Sequence, residues 1–194
     1  MVNTTQRTLF LMGNEAIGYG AVRAGAEFAA AYPGTPSTEI LETAAGLEGI
    51  HAEWCVNEKV ALETAVGASR AGLRSLVTMK HVGLNVAADP LLTLTETGVG
   101  AGLVIVSADD PGMSSSQNEQ DSRHYAKFAK IPMLEPADSQ EAYDFVAEAF
   151  ALGYAEKGVV SRFAVPDRIV FVGEIDKTSV GKLDKKVLRE KYGA

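Results

Sequence analysis

Short apolar runs alternate with longer amphipathic or alanine-rich stretches through residues 9–155, and this alternation sets the expected fold. Leu9-Phe10-Leu11-Met12 reads as a strand leading to Gly13-Asn14-Glu15, and residues 16–30 read as a helix of small side chains. Ala31-Tyr32 end a short strand at the turn Pro33-Gly34-Thr35-Pro36, after which the Ser37 hydroxyl is placed to cap a helix through Ala45. A strand over residues 50–55 follows. Asn57 then caps a long helix over residues 58–71, which Gly72 stops. Residues 73–79 form the next strand. Residues 84–97 predict a helix interrupted near Asp89-Pro90, because proline removes a donor and disfavours helix just before it. Leu103-Val104-Ile105-Val106 is a continuous apolar run, the pattern of a buried strand. A loop rich in Ser and Gln comes next, then a short helix over residues 123–129, a strand over 131–134, and a helix capped by Asp138 that runs to Ala155.

Strands alternating with helices of this length pair in parallel through right-handed crossovers. The expectation is a three-layer α/β sandwich with a mostly parallel sheet, plus a short C-terminal appendage. Ligands in such sheets sit in the crevice at the carboxyl ends of the strands. The loops at 33–37, 55–58, 80–85 and 108–121 are therefore the places to look for chemistry.

Composition narrows the function classes. The net charge of -7 argues against a nucleic-acid surface. No apolar run reaches eighteen residues, so no membrane span is expected, and the first residues carry no signal-peptide pattern. A single cysteine, Cys55, rules out an internal disulfide, fits a reducing cytoplasm and cannot hold an iron–sulfur cluster alone. Charge also divides the chain. Residues 1–157 carry 10 Lys and Arg against 20 Asp and Glu, whereas residues 158–194 carry 8 against 5. A change of sign at one point predicts a boundary there.

The loops offer few chemical groups, and each has two readings. Glu58, at a strand-to-helix junction, either complements the helix dipole or serves as a carboxylate that exchanges a proton with a ring nitrogen. The Pro33-Gly34-Thr35-Pro36 turn is either simply rigid or holds the Thr35 hydroxyl at a pocket mouth. Gly83 lets the backbone approach a flat ligand, while His81 alone reads as a surface or satisfied core histidine. The stretch Gln117-Asn118-Glu119-Gln120-Asp121 is polar, yet its loop is long for a compact α/β connection, as functional loops tend to be. No metal-ligand spacing occurs, nor any GxxxxGK[ST] or GxGxxG phosphate loop.

Several spaced stretches carry a resemblance. Met12-Gly13-Asn14-Glu15-Ala16, Tyr32-Pro33-Gly34-Thr35-Pro36-Ser37, Val56-Asn57-Glu58-Lys59-Val60-Ala61, Lys80-His81-Val82-Gly83-Leu84-Asn85, Ala108-Asp109-Asp110-Pro111-Gly112 and Ser115-Ser116-Gln117-Asn118-Glu119-Gln120-Asp121 occur in order. Residues 8–157 thereby resemble the amino-terminal domain of the alpha subunit of indolepyruvate:ferredoxin oxidoreductase, with the thiamine-diphosphate-binding pyrimidine domain fold. The resemblance implies oxidative decarboxylation of aryl 2-oxoacids, with coenzyme A taking the acyl group and ferredoxin the electrons. It implies thiamine diphosphate shared with a diphosphate-binding domain or subunit, in a homo- or hetero-oligomer. Mg2+ and iron–sulfur clusters come only through domains this chain lacks. Glu58 matches the glutamate whose contact with the aminopyrimidine ring assists removal of the thiazolium C2 proton. Thr35 matches a loop threonine near the reacting centre, Gly83 and Asn85 a loop along the aminopyrimidine, and Gln117 and Glu119 an active-site segment.

Residues 160–194 resemble something else. Phe163-Ala164-Val165-Pro166-Asp167-Arg168-Ile169-Val170-Phe171-Val172 and Lys177-Thr178-Ser179-Val180-Gly181-Lys182-Leu183-Asp184 are similar to the carboxyl end of acyl-CoA synthetases, where the lysine at Lys182 would serve adenylation. Gly173 and Asp176 depart from that pattern, and no nucleotide-binding core accompanies it. The expected division is a pyrimidine-binding domain over 1–157 and a tail over 158–194, joined as a fusion, with residues 159–165 or 169–172 available to close the sheet. The leading reading is a partial oxidoreductase subunit, inactive alone. The alternatives are a non-catalytic interaction module or a ligase fragment.

Overall fold

Four short parallel strands form the centre of the chain in the computed structural model, which describes residues 8–155. In chain order the elements are α1 (Gly13–Arg23), β1 (Phe28–Ala31), α2 (Thr38–Ala45), β2 (His51–Trp54), α3 (Glu58–Arg70), β3 (Ser75–Lys80), α4 (His81–Val86), α5 (Ala88–Thr97), β4 (Leu103–Ala108), α6 (Arg123–Ala129) and α7 (Ser139–Ala155). The sheet order is β2-β1-β3-β4, with Phe28 level with His51 and Ser75, and Ser75 level with Leu103.

Strand residues alternate between two cores, as the period of two requires. Phe28, Ala30, Val77 and Met79 face α3, α4 and α5 through Ala61, Leu62, Ala65, Leu84 and Leu91. Ala29, Ala31 and Leu76 face α1, α2 and α7 through Ala21, Ile40, Leu41, Val146 and Phe150. Both faces are covered by helices, so the expected three-layer α/β sandwich with a parallel sheet is what forms.

Several boundaries differ from the expected ones. The alanine-rich run over residues 16–30 is not one helix. It breaks after Arg23, turns through Gly25 at φ +76, and its last residues become the central strand β1. Alanine favours helix locally, but pairing on both edges and burial on both faces outweigh that preference. Leu9 to Met12 form no strand. Leu9 and Phe10 are exposed, and the Met12 amide donates to the Glu15 carboxylate at 2.7 Å to start α1. The helix break lies at Ala87 rather than Asp89-Pro90, because Pro90 sits in the first turn of α5, where no amide is needed. Residues 131–134 form no strand. Asn57 and Asp138 do cap their helices, accepting from the amides of Val60 (2.9 Å) and Glu141 (2.8 Å). Ser37 does not cap: its hydroxyl donates back to the Gly34 carbonyl at 2.9 Å. The tail over 158–194, with Lys182 and both candidate closing segments, lies outside the described residues. Among the described residues no helix is long and apolar enough to cross a membrane.

Candidate active site

The chain leaves β1 toward β2 through α2, but leaves β3 toward β4 through α4 and α5, on the opposite side of the sheet's midline. The connections after these adjacent strands diverge, and the carboxyl ends of strands at such a divergence are the usual ligand position in sheets of this kind. α3, returning from β2 to β3 across β1, points its first residue at the same end. That residue is Glu58.

Glu58 is only 9% exposed, and among the described residues its carboxylate has no hydrogen-bond or ion-pair partner. Its position in the first turn of α3 favours the carboxylate by about 0.3–1 kcal/mol through the helix dipole. Its neighbour is Gly83. A Cβ placed on Gly83 would lie 2.5 Å from Glu58 Oε1, 2.6 Å from Cγ and 2.8 Å from Cδ. Only glycine leaves room for the Glu58 side chain where it lies.

The β3–α4 junction, residues 80–85, touches the other loops at this end of the sheet. The Lys80 stem passes beside Gly34, with Cδ 3.0 Å from where a Cβ on that glycine would stand, and its ammonium donates to the Ser115 carbonyl at 3.0 Å. His81 is fully buried, and its Nε2 donates to the Asn118 carbonyl at 2.8 Å, which leaves Nδ1 without a partner. Asn85 accepts from the Tyr125 hydroxyl at 2.6 Å, tying α4 to α6. Thr35 is exposed on a turn fixed from two sides. Gly34 donates to the Thr38 hydroxyl at 3.0 Å, and the Asn14 amide group donates to the Pro36 carbonyl and, at 2.9 Å, to Glu39. The Thr35-Pro36 peptide is cis.

The loop after β4 is held from within. Asp110 accepts from the amides of Ser115 (2.8 Å) and Ser114 (3.2 Å), and the Ser115 amide in particular holds its carboxyl below the usual carboxylate range. Glu119 is exposed and accepts from the Gly112 amide at 3.2 Å, while Gln117 is exposed. Of the six candidates, Glu58 and Gly83 are in direct contact. Asn85 lies on the same α4 as Gly83, while Thr35, Gln117 and Glu119 make no contact with Glu58 or Gly83 among those described; their loops are tied to the 80–85 junction through Gly34, Ser115 and Asn118. Sequence reasoning gave Lys80, Tyr125 and Asn14 no role and His81 a bland one. For the first two and His81 no local signal exists, because their partners lie 35, 40 and 37 residues away.

Residues 19–194 match the family model described as "Pyruvate flavodoxin/ferredoxin oxidoreductase, thiamine diP-bdg". The chain belongs to this family. It is 54% identical over 151 residues to the indolepyruvate oxidoreductase subunit IorA of Archaeoglobus fulgidus, a match covering 74% of this chain and 24% of that protein. It is 31% identical over 175 residues to the 2-oxoglutarate synthase subunit KorA of Methanocaldococcus jannaschii, covering 83% of this chain and 46% of that one. Among solved structures, 2-oxoglutarate:ferredoxin oxidoreductase from Magnetococcus marinus superposes with a TM-score of 0.62 at 22% identity, over 74% of this chain and 27% of its own. That last likeness concerns the fold. The chain spans about a quarter of the length of the IorA relative. The family match runs on through residues 158–194, so it lends no support to the ligase likeness of that stretch.

The residues present suit the family's cofactor. A largely buried glutamate with no hydrogen-bond partner among the described residues, beside a glycine whose missing Cβ leaves room for it, fits a ring nitrogen of thiamine diphosphate. Among the described residues no group of three or more His, Cys, Asp or Glu is placed to hold a metal ion.

Proposed function

We propose that this chain forms the pyrimidine-binding wall of an aryl 2-oxoacid:ferredoxin oxidoreductase, acting on substrates of the indolepyruvate class. The single observation that carries the reading is the largely buried Glu58 side chain, packed against Gly83 at the carboxyl end of the sheet and without a hydrogen-bond partner among the described residues. Bound thiamine diphosphate supplies the nucleophilic carbon and electron sink for decarboxylation. Glu58 holds a proton at the aminopyrimidine nitrogen, in a site where exclusion of water strengthens that contact. Gly83 keeps space for that carboxylate; Asn85 would help hold the aminopyrimidine, Thr35 would serve near the reacting centre, and Gln117 and Glu119 would belong to the active-site loop. Diphosphate and Mg2+ are held by a partner domain or subunit, and iron–sulfur clusters, coenzyme A and ferredoxin engage the complete assembly. Tyr32, Trp54 and Val56 are exposed beside the carboxyl ends of β1 and β2, where such a partner would cover them.

The test is complementation. The chain alone should give no turnover. Mixed with a diphosphate-binding domain of a 2-oxoacid oxidoreductase, thiamine diphosphate, Mg2+ and coenzyme A, it should support indolepyruvate-dependent reduction of ferredoxin. Glu58→Gln should lower kcat in that mixture by about 10²–10⁴-fold. An active mixture indifferent to Glu58→Gln would show that the carboxylate has another purpose.

A further inference from the structure

Four loops leave the carboxyl ends of the four strands, residues 33–37, 55–58, 80–85 and 108–121, and Lys80 is the only lysine or arginine in any of them. The same loops carry five acids, Glu58, Asp109, Asp110, Glu119 and Asp121. Even so, among the described residues no carboxylate lies within 4 Å of the Lys80 ammonium, which donates instead to the Ser115 carbonyl at 3.0 Å. The acids of the last loop are engaged elsewhere. Asp109 accepts from the Ser122 amide at 3.1 Å, Asp110 from the Ser114 and Ser115 amides, Glu119 from the Gly112 amide, and Asp121 faces Arg123 at 3.7 Å. Lys59 and Arg123, at the starts of α3 and α6, have acids of their own in Asp89 and Glu135, each at 2.8 Å. Lys80 is thus a full positive charge at the ligand end of the sheet, held in place by a neutral acceptor.

We propose that Lys80 binds the carboxylate of the 2-oxoacid substrate, an inference that rests on the substrate class proposed above. Lys80 closes β3, level with Ala108 at the end of β4. Its stem runs beside Gly34, the neighbour of Thr35, with Cγ and Cδ 3.5 and 3.0 Å from where a Cβ on that glycine would stand. The sheet fixes the backbone of this residue and Ser115 fixes the far end of its side chain. An ammonium has three donors, and the Ser115 bond uses one. Two remain for a ligand. An aryl 2-oxoacid brings one formal charge, its carboxylate, among loops rich in acids that repel it. Lys80 offsets that repulsion, and a charge-assisted bond is about twice as strong as a neutral one. Gly83, three residues on, makes room for Glu58, so residues 80–83 present both the cation for the substrate and the space for the glutamate. The carboxylate departs as CO2, so the contact serves binding rather than the bond-breaking step.

Equilibrium binding tests it without turnover, in the assembly of the full chain with a diphosphate-binding domain, thiamine diphosphate and Mg2+. The probes are 3-indolepropionate, which keeps the aryl group and the carboxylate but lacks the reacting carbonyl, and its neutral amide. Calorimetry should show the acid binding about ten- to hundredfold tighter than the amide. Lys80→Gln keeps a donor for the Ser115 carbonyl but carries no charge, and should erase that preference; Lys80→Arg should keep most of it. In turnover, Lys80→Gln should raise KM for indolepyruvate by a similar factor without lowering kcat. Glu58→Gln, by contrast, should lower kcat and leave the acid-over-amide preference intact. No preference in the unmodified assembly overturns the proposal, whatever the variants do. So does a preference that survives in Lys80→Gln, and so does a loss confined to thiamine diphosphate affinity, which would give Lys80 to the cofactor. An assembly that turns over indolepyruvate with a preference independent of Lys80 overturns this inference alone. One that shows the Lys80-dependent preference yet no turnover supports the carboxylate site and refutes the proposed reaction.

Discussion

Gly83→Ala gives a direct test of the contact at the centre of the site. The added methyl would meet three Glu58 atoms at 2.5, 2.6 and 2.8 Å, far inside the ~3.5–4.0 Å optimum for carbon contacts. Overpacking of this kind costs about 1–3 kcal/mol, while alanine in α4 regains up to about 1 kcal/mol of helix propensity. The net expectation is a loss of about 1–2 kcal/mol. At roughly 2–4 °C per kcal/mol for a chain of this size, Tm falls by several degrees. Glu58→Ala removes Oε1, Cγ and Cδ together. In that background the clash disappears, and Gly83→Ala should be neutral or stabilising by up to about 1 kcal/mol. Urea unfolding of the four proteins closes a double-mutant cycle with a coupling of about 1–3 kcal/mol. If the two substitutions add to within about 0.5 kcal/mol, the glycine is not there to make room for the carboxylate.

Other expectations concern the cap and the loop. Asn57→Ala removes the oxygen that accepts from the Val60 amide and should cost about 1 kcal/mol, seen as a lower urea midpoint with unchanged m; an unchanged midpoint would mean the cap adds nothing. Asp110 is an acid held below its ordinary range by the Ser115 and Ser114 amides. Its contribution is therefore whole above about pH 4 and fades as pH falls through the lowered value. Hydrogen exchange of residues 110–116, corrected for intrinsic rates, should show opening on acidification that is already present in Asp110→Asn at neutral pH; identical pH profiles for the two proteins would exclude this role. His81→Phe keeps the ring but loses the bond to Asn118. It should accelerate exchange in residues 114–120 while β1 stays protected, and equal rates in both proteins would mean that the bond does not hold the loop.

Legibility followed the range of the interactions. The start of α3 could be read in advance because Asn57, Glu58 and Val60 lie within four residues and the cap is local. The layered fold was legible from the same kind of periodicity. β1 was not. Ala29, Ala30 and Ala31 carry a local preference for helix, and what makes them a strand is β2 on one edge and β3 on the other. Residues 131–134 have strand composition, yet they line a cavity beside β4 and make no strand. At the site, Glu58 could be proposed from its motif, but its contact with Gly83 joins residues 25 apart in the chain. The anchoring of the loop by Lys80 and His81 spans still longer separations. Only the assembled sheet brings those groups to one end.

The burial of His81 has a practical consequence. The chain has three histidines, and His51 and His124 are both exposed. In an imidazole spectrum the His81 resonance should stand apart, sheltered from solvent and bonded to the backbone of the loop that carries Gln117 and Glu119. It is a reporter already in place where β3 and α4 meet the exposed loop after β4. Ligand binding, partner docking and loop opening could each be followed through that one signal, with no label attached to the protein.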